Sequence, residues 1–344
     1  HHEMKVLNID LGSYSYKAQI GNNFYSYPAQ YVRGVRPIVG SAFQSLHQST
    51  RCEFSTPFSG QYPLNFDILQ FQLEDFLQQM DINANDYDLK ISLPAFTPLD
   101  IKKDFDTMLM EEMGFKSLYR NTPQFFVQFN PQLHLQDSST FMVYDCGFSQ
   151  QSTSCFMFQN QIQQSIKRND CGGFILQNYL KDLLKNDQMS VLKQPVLMQN
   201  IFEKLFSQPL QNIYINESDV SFAKQDGSQE LYAKDSYYSV MSCFAKPQIN
   251  QEGYVGLIET SLGQVNPVIK QCLGKVIVTG GLSEFVFQQR IQNDFKNHNL
   301  ELIFLKDGAK GCLDGMRQFD ANEVKVTRSL WDEFGQEICL KRFM

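Results

Sequence analysis

Two stretches of this chain, far apart in sequence, repeat one uncommon pattern. The first is an apolar, β-prone run, Val6-Leu7-Asn8-Ile9-Asp10, broken by Leu11-Gly12-Ser13 and resumed through Tyr16 and Ile20. The second is Thr140-Phe141-Met142-Val143-Tyr144-Asp145, a turn at Cys146-Gly147-Phe148-Ser149, and a further run from Ser152 to Phe158. Each predicts a strand, a tight turn and a returning strand, with an aspartate at the end of the first strand and a glycine two residues later. A hairpin of this kind occurring twice points to an internal duplication and hence to two related halves.

The segments between them alternate strand and helix. Residues 56 to 82 carry Pro57, Gly60 and Pro63, then apolar residues at helical spacing (Ile68, Phe71, Leu73, Phe76, Leu77). Leu89 to Leu93 predicts a strand before Pro94, and Ile101 to Met113 a helix ending at Gly114. A third junction, Lys275-Val276-Ile277-Val278-Thr279-Gly280-Gly281, precedes an amphipathic helix around Phe287, Ile291 and Phe295. Strand followed by helix, repeated in this way, is the signature of an α/β layer architecture.

At 344 residues the chain is too long for one ordinary core and fits two domains of about 150 residues each. Hydrophobic residues at 42%, with 29 Phe, supply enough apolar surface for packed cores. A formal net charge of −7 with only 19% charged residues argues against a protein dedicated to the nucleic-acid backbone. Glutamine replaces much of the missing charge, at roughly one residue in ten, scattered rather than in tracts. No stretch approaches the roughly 18 to 20 apolar residues that cross a bilayer, and the start shows no basic region followed by an apolar one, so neither membrane insertion nor secretion is expected. The eight cysteines form no CxxC pair and no zinc-site spacing, which predicts free thiols in a reducing compartment. Of five histidines, His1 and His2 precede Met4 and read as a tag remnant, leaving little from which to build a histidine-dependent triad.

A glycine in a tight turn lets backbone N–H groups approach an anion, which is how glycine-rich loops cradle phosphates. Gly12 with Ser13, and Gly147 with Ser149, offer two such loops. Asp10 and Asp145 suit a hydrated Mg²⁺, an ion that keeps most of its waters, and Lys17 adds a positive point charge. One strand-Asp-x-Gly hairpin is usually only a turn; the repetition carries the argument.

Asp10-Leu11-Gly12-Ser13 with Lys17, Asp145-Cys146-Gly147, Gly172-Gly173 ahead of a helix, and Val278-Thr279-Gly280-Gly281 resemble, in order, the nucleotide-binding signature of the actin and heat-shock ATPase superfamily. Pro57-Phe58-Ser59-Gly60 leading to Asn65-Phe66-Asp67, Glu203-Lys204-Leu205, and Trp331-Asp332-Glu333-Phe334-Gly335 look like actin rather than its kinase cousins. Tyr14 in the first loop, Phe148 in the second and the tail Val326-Thr327-Arg328 with Glu333, Gly335, Cys339 and Phe343 are most similar to the nuclear class six actin-related proteins of SWR-type histone-exchange remodellers. The pointed-end actin-related protein of dynactin shares the Asp-Cys-Gly loop.

The resemblance implies an actin-like ATPase fold, two lobes with duplicated βαβ cores around a nucleotide cleft. It places a first lobe at 4–127 with a small insertion about 31–56, a second at 128–317 with an insertion about 173–246, and a terminal segment 318–344 returning to the first lobe. It implies ATP or ADP with Mg²⁺: Asp10, Gly12, Ser13 and Lys17 on one side of the phosphates, Asp145, Gly147 and Ser149 on the other, and Gly173, Glu203, Gly280, Gly281 and Phe285 around the adenosine, with Asp10 and Asp145 reaching the metal through water. Gln128 corresponds to the actin glutamine that orients the attacking water; its alternative reading is an ordinary helix-surface glutamine.

Ser152 stands where actin has a histidine near that water, and Phe202 where actin has a nucleotide-contacting lysine. Phosphoryl transfer rests on positioning, so these departures predict weak ATPase activity at most. The implied role is a nuclear scaffold subunit, partnered by the remodeller ATPase and a zinc-finger HIT subunit, with no sequence-specific nucleic acid, no membrane and no filament. Leu330, Trp331 and Phe334 are candidates to flank a groove for a partner helix, or else to pack internally. The alternative role is a cytoplasmic scaffold of the dynactin pointed-end or ciliary kind.

Overall fold

The structure is a computed structural model that describes residues 5–45, 53–136, 139–184, 202–203, 205–206, 220–223, 229–232, 234–247, 251–296 and 298–343. The chain divides into two compact units: His1–Leu46, Arg51–Gln136 and Lys310–Met344 form one, His47–Thr50 and Asp137–Ala309 the other.

The first unit is built on a six-stranded sheet. Its spatial order is Val326–Thr327, Ser117–Asn121, Asp88–Ser92, Val6–Leu11, Ser15–Ile20 and Asn23–Pro28. Val6–Leu11, Asp88–Ser92 and Ser117–Asn121 run parallel, and the hairpin partners of Val6–Leu11 run antiparallel. The helix Phe66–Gln79 makes the crossover from the hairpins to Asp88–Ser92, its first turn capped by Asn65, whose Oδ1 accepts from the Ile68 amide at 3.2 Å. Leu69, Leu73, Phe76 and Leu77 bury its inner face against Leu7, Ile9 and Ile91. The second crossover is the helix Leu99–Thr107, continued by a π-helical turn Met108–Glu112, with Gly114 at φ +74 just beyond.

The second unit repeats the plan. Its sheet reads Asn160–Asn169, Gln151–Met157, Thr140–Cys146, Lys275–Thr279 and Glu301–Phe304. The first three are antiparallel hairpin strands and the last three are parallel. Strand for strand, order and direction match five strands of the first sheet. The duplication expected from two hairpins therefore extends to two whole sheets, the α/β architecture that the resemblance implied. Phe287 and Ile291 on the helix Phe285–Asp294, and Phe295 just past its end, enter its core with Tyr144, Val276 and Val278.

One position in the first unit departs from the expected pattern, and another decides between two readings. Phe71 is exposed while its neighbour Gln72 is buried, because Gln72 accepts from the Tyr16 hydroxyl at 2.5 Å and donates to the Ala29 carbonyl at 3.2 Å. Trp331 is only 3% exposed: it lies in the core and its indole donates to Glu111 at 3.2 Å, so it packs internally and does not line a groove. Phe334, three residues on, is 50% exposed.

Candidate functional site

In the first unit the antiparallel register sets Asp10 directly across from Lys17, since Val6–Leu11 and Ser15–Ile20 pair around the turn at 12–14. The Lys17 ammonium lies 3.7 Å from Asp10 Oδ2. Ser92, at the end of the neighbouring parallel strand, donates from its hydroxyl to Asp10 Oδ1 at 2.7 Å and accepts the Leu11 amide at 2.9 Å. Asp10 is thus held from two sides while remaining partly open. A side chain at Gly12 would put its Cβ 2.8 Å from the Ser15 carbonyl oxygen and 3.9 Å from Lys17 Nζ, so the turn needs a bare backbone and the lysine stands over it. Asp10, Gly12 and Lys17 come together as expected, with Ser13 beside them on the turn.

In the second unit Asp145 and Ser152 occupy the corresponding cross-strand positions. The turn is closed by the Gly147 amide donating to the Gln150 carbonyl at 2.8 Å. Behind it the start of the helix Gly173–Leu184 is fastened to the loop: the Gly173 amide donates to Gly147 O at 3.1 Å and the Phe174 amide to Phe148 O at 2.7 Å. A Cβ on Gly172 would fall 2.5 Å from both the Gln150 nitrogen and the Phe148 oxygen, so only glycine permits this approach. Phe148 packs edge-on against Phe174, with ring centroids 5.9 Å apart.

Gly280 closes the same cluster. Its φ is +94, and a Cβ there would lie 2.4 Å from the Cys146 oxygen and 2.5 Å from Asp145 Oδ1. The loop that holds it is tied down by Thr279 Oγ1 and the Gly280 amide, both donating to the Gly308 carbonyl, and by Ser283 Oγ donating to Gly280 O at 2.7 Å. Asp145, Gly147, Gly173 and Gly280 are therefore neighbours, with Ser149 on the same turn. Gly281 is exposed and a Cβ there would meet nothing. Glu203 is exposed, beside Phe202, which is buried against Phe206 at 4.6 Å between ring centroids. Phe285 begins the helix Phe285–Asp294.

Gln128 ends the short helix Pro123–Val127 of the first unit. It is 6% exposed, so the reading of it as a helix-surface glutamine is wrong. Its Nε2 donates to the Phe125 carbonyl at 3.0 Å, and its Oε1 is buried without a hydrogen-bond partner. Ser152 is buried as well. Ser92 is the site residue that the sequence alone did not reveal. The signal available was its position at the end of a buried strand next to Asp10's own. Among the described residues no group of three or more His, Cys, Asp or Glu side chains is placed to hold a metal ion.

Comparison with known proteins bears on what these two hairpins belong to. The family model described as Actin matches residues 18–242, well over half of the chain. The chain belongs to the actin family. Among curated relatives it is 22% identical to "Actin-related protein 6" of Oryza sativa subsp. indica, over 83% of this chain and 85% of that protein. It is 22% identical to "Actin-like protein ARP6" of Kluyveromyces lactis over 76% of each chain. With "Actin-related protein 6" of Dictyostelium discoideum it shares 26% identity over 58% of this chain and 46% of the other. The actin-like fold and the likeness to actin-related proteins numbered six thus extend over most of the sequence. Among the described residues no helix is long and apolar enough to cross a membrane.

Proposed function

We propose that this actin-family chain is a nuclear scaffold subunit of a histone-variant-exchange chromatin-remodelling complex, and that it binds ATP or ADP with Mg²⁺ while hydrolysing it little or not at all. The observation that carries the nucleotide reading is the pair of equivalent hairpins, each with an aspartate one residue before the end of its first strand, beside a glycine turn that admits no Cβ or sits against one that does not. The residues fit the group: carboxylates suit a hydrated Mg²⁺, Lys17 suits phosphate, and the bare turns leave room for phosphate oxygens. Asp10, Gly12, Ser13 and Lys17 would serve the phosphates and metal from one hairpin, Asp145, Gly147 and Ser149 from the other. Gly173, Glu203, Gly280, Gly281 and Phe285 would serve the adenosine. Bound Mg²⁺ would supply charge neutralisation to the phosphates.

Weak hydrolysis follows from Ser152, which is buried and offers a hydroxyl where an imidazole would be expected. Gln128 retains a buried, unsatisfied carbonyl oxygen that could accept from a water and remains the candidate to orient one. The scaffold role draws on the loop and tail resemblance and on relatives that carry the class six name across four-fifths of the chain. Its acidic balance suits basic partner segments. Affinity purification of the tagged chain from its native cells, followed by mass spectrometry, tests the role. Recovery of the remodeller ATPase and a zinc-finger HIT subunit is expected; recovery of dynactin components instead would overturn it.

A further inference from the structure

The second unit contains a pair of cysteines for which nucleotide binding has no use. Cys171 is buried between the end of the strand Asn160–Asn169 and the helix Gly173–Leu184. Cys243 is half-buried on the helix Lys234–Ala245, which packs against the helix that follows Cys171. The Cys171 thiol donates to the Cys243 carbonyl at 3.6 Å, which sets the two cysteines side by side. Other thiols of the chain are engaged differently: Cys146 donates to the Thr279 carbonyl at 3.1 Å, Cys155 meets the Ser261 hydroxyl at 3.7 Å, and Cys272 is exposed on the surface.

The pair is also asymmetric. The neighbouring Cys171 side chain brings the Cys243 thiol down to about 7, against the opposing effect of its partial burial. The Cys243 side chain, with burial, in turn pushes the Cys171 thiol up. The more exposed sulfur is thus the better nucleophile, and its buried neighbour is a protonated thiol held next to it, the arrangement of an attacking and a resolving cysteine.

We propose that Cys171 and Cys243 form a reversible oxidation site, closed to a disulfide by a peroxide and reopened by a thiol reductant. The Cys243 thiolate attacks one peroxide oxygen, the O–O bond breaks, and a sulfenic acid and hydroxide result. The Cys171 thiol then displaces water from that sulfenic acid as the S–S bond forms. In total two thiols and one hydrogen peroxide give one disulfide and two waters; each sulfur loses one electron and the peroxide gains two. Two moles of a monothiol reductant reverse the change.

The bond would fall at a sensitive place. The Cys171 carbonyl accepts from Gln151 Nε2 at 2.6 Å, and the next two residues are the glycines pressed against the loop Gly147–Gln150. Oxidation would therefore tie the Lys234–Ala245 helix to the support of that loop.

The full chain is treated with hydrogen peroxide at pH 7, alkylated, digested with trypsin and analysed by mass spectrometry, alongside Cys171→Ser and Cys243→Ser. The expected result is a linked Cys171–Cys243 peptide, two hydrogens lighter than its parts, absent from both variants and lost on adding dithiothreitol. In Cys171→Ser, Cys243 should instead advance to the sulfinic acid. Before oxidation, iodoacetamide should label Cys243 about fivefold faster than Cys272. Wild-type protein in which Cys243 oxidises without linking to Cys171, or in which Cys243 labels no faster than Cys272, overturns the proposal. None of these readouts depends on nucleotide.

Discussion

The two Asp-x-Gly hairpins share strand order, direction and turn, and differ in what stabilises them. In the first, the aspartate is set by side chains: Lys17 across the strand pair and Ser92 on the parallel neighbour. In the second, a serine occupies the cross-strand position, and the loop is fixed by backbone bonds to a helix start and by glycines pressed against carbonyl oxygens. A duplicated scaffold can thus keep its geometry while one copy relies on charge and the other on close backbone approach. Both are closed to a Cβ, at Gly12 as at Gly172 and Gly280, so the first should stand apart by its sensitivity to charge removal.

The largest effect is expected at Gly280. Gly280→Val combines a left-handed backbone with contacts of 2.4 Å and 2.5 Å to the oxygens of Cys146 and Asp145, and should cost about 3 kcal/mol or more in urea denaturation. Gly281→Ala, next in sequence but open, should change stability by less than about 0.5 kcal/mol. Equal costs at the two sites would show that close backbone approach at Gly280 does not hold the second hairpin.

Charge removal in the first hairpin ranks next. Asp10→Ala should shorten nucleotide retention by at least about tenfold, and Lys17→Met by about tenfold, as charge-assisted contacts are lost. Ser92→Ala removes two hydrogen bonds of about 1 kcal/mol each, only one of them to the anchoring carboxylate, and should shorten retention only severalfold. Radiolabelled nucleotide exchange measures all three; a Ser92→Ala loss equal to that of Asp10→Ala would make the hydroxyl, rather than the carboxylate, the anchor.

A further effect concerns pH. Lys90 is 8% exposed and burial lowers its ammonium to about 8, although it donates to the Met316 carbonyl at 2.8 Å and to the Phe319 carbonyl. With its folded value below its unfolded one, the folded chain binds fewer protons between about pH 8 and 10.5, so stability contributed by Lys90 rises across that window. The rise should amount to about 1 to 2 kcal/mol after allowance for solvent screening, and should be missing in Lys90→Met. Parallel denaturation curves for the two proteins from pH 7.5 to about 10.5 check it.

Much of this fold was legible because the hairpins and the parallel strands are long apolar runs ending in turn residues. Lys275–Thr279 and the buried residues of Phe285–Asp294 fall where their spacing put them. Periodicity failed where polar side chains are buried for a specific partner. Gln72 goes inside because Tyr16 and Ala29 meet its amide, and Lys90 because it caps the end of the helix Gly311–Gln318. Neither partner is near in sequence, so neither could be read from a local window. The site was legible to the same extent: Asp10 and Lys17 are a hairpin apart, whereas Ser92 reaches Asp10 from 82 residues away. Trp331 and Phe334 lie on one short helix, and only the packing of the core distinguishes the buried ring from the exposed one.

The central claim is that the duplicated hairpins hold a nucleotide that the chain barely hydrolyses. Native mass spectrometry of the full chain, equilibrated with ATP and Mg²⁺ and freed of excess ligand, tests it most directly. One nucleotide per chain, still largely ATP after an hour and lost from Asp10→Ala, is the predicted result. A bare chain mass for the wild type, or rapid complete conversion to ADP, would contradict it.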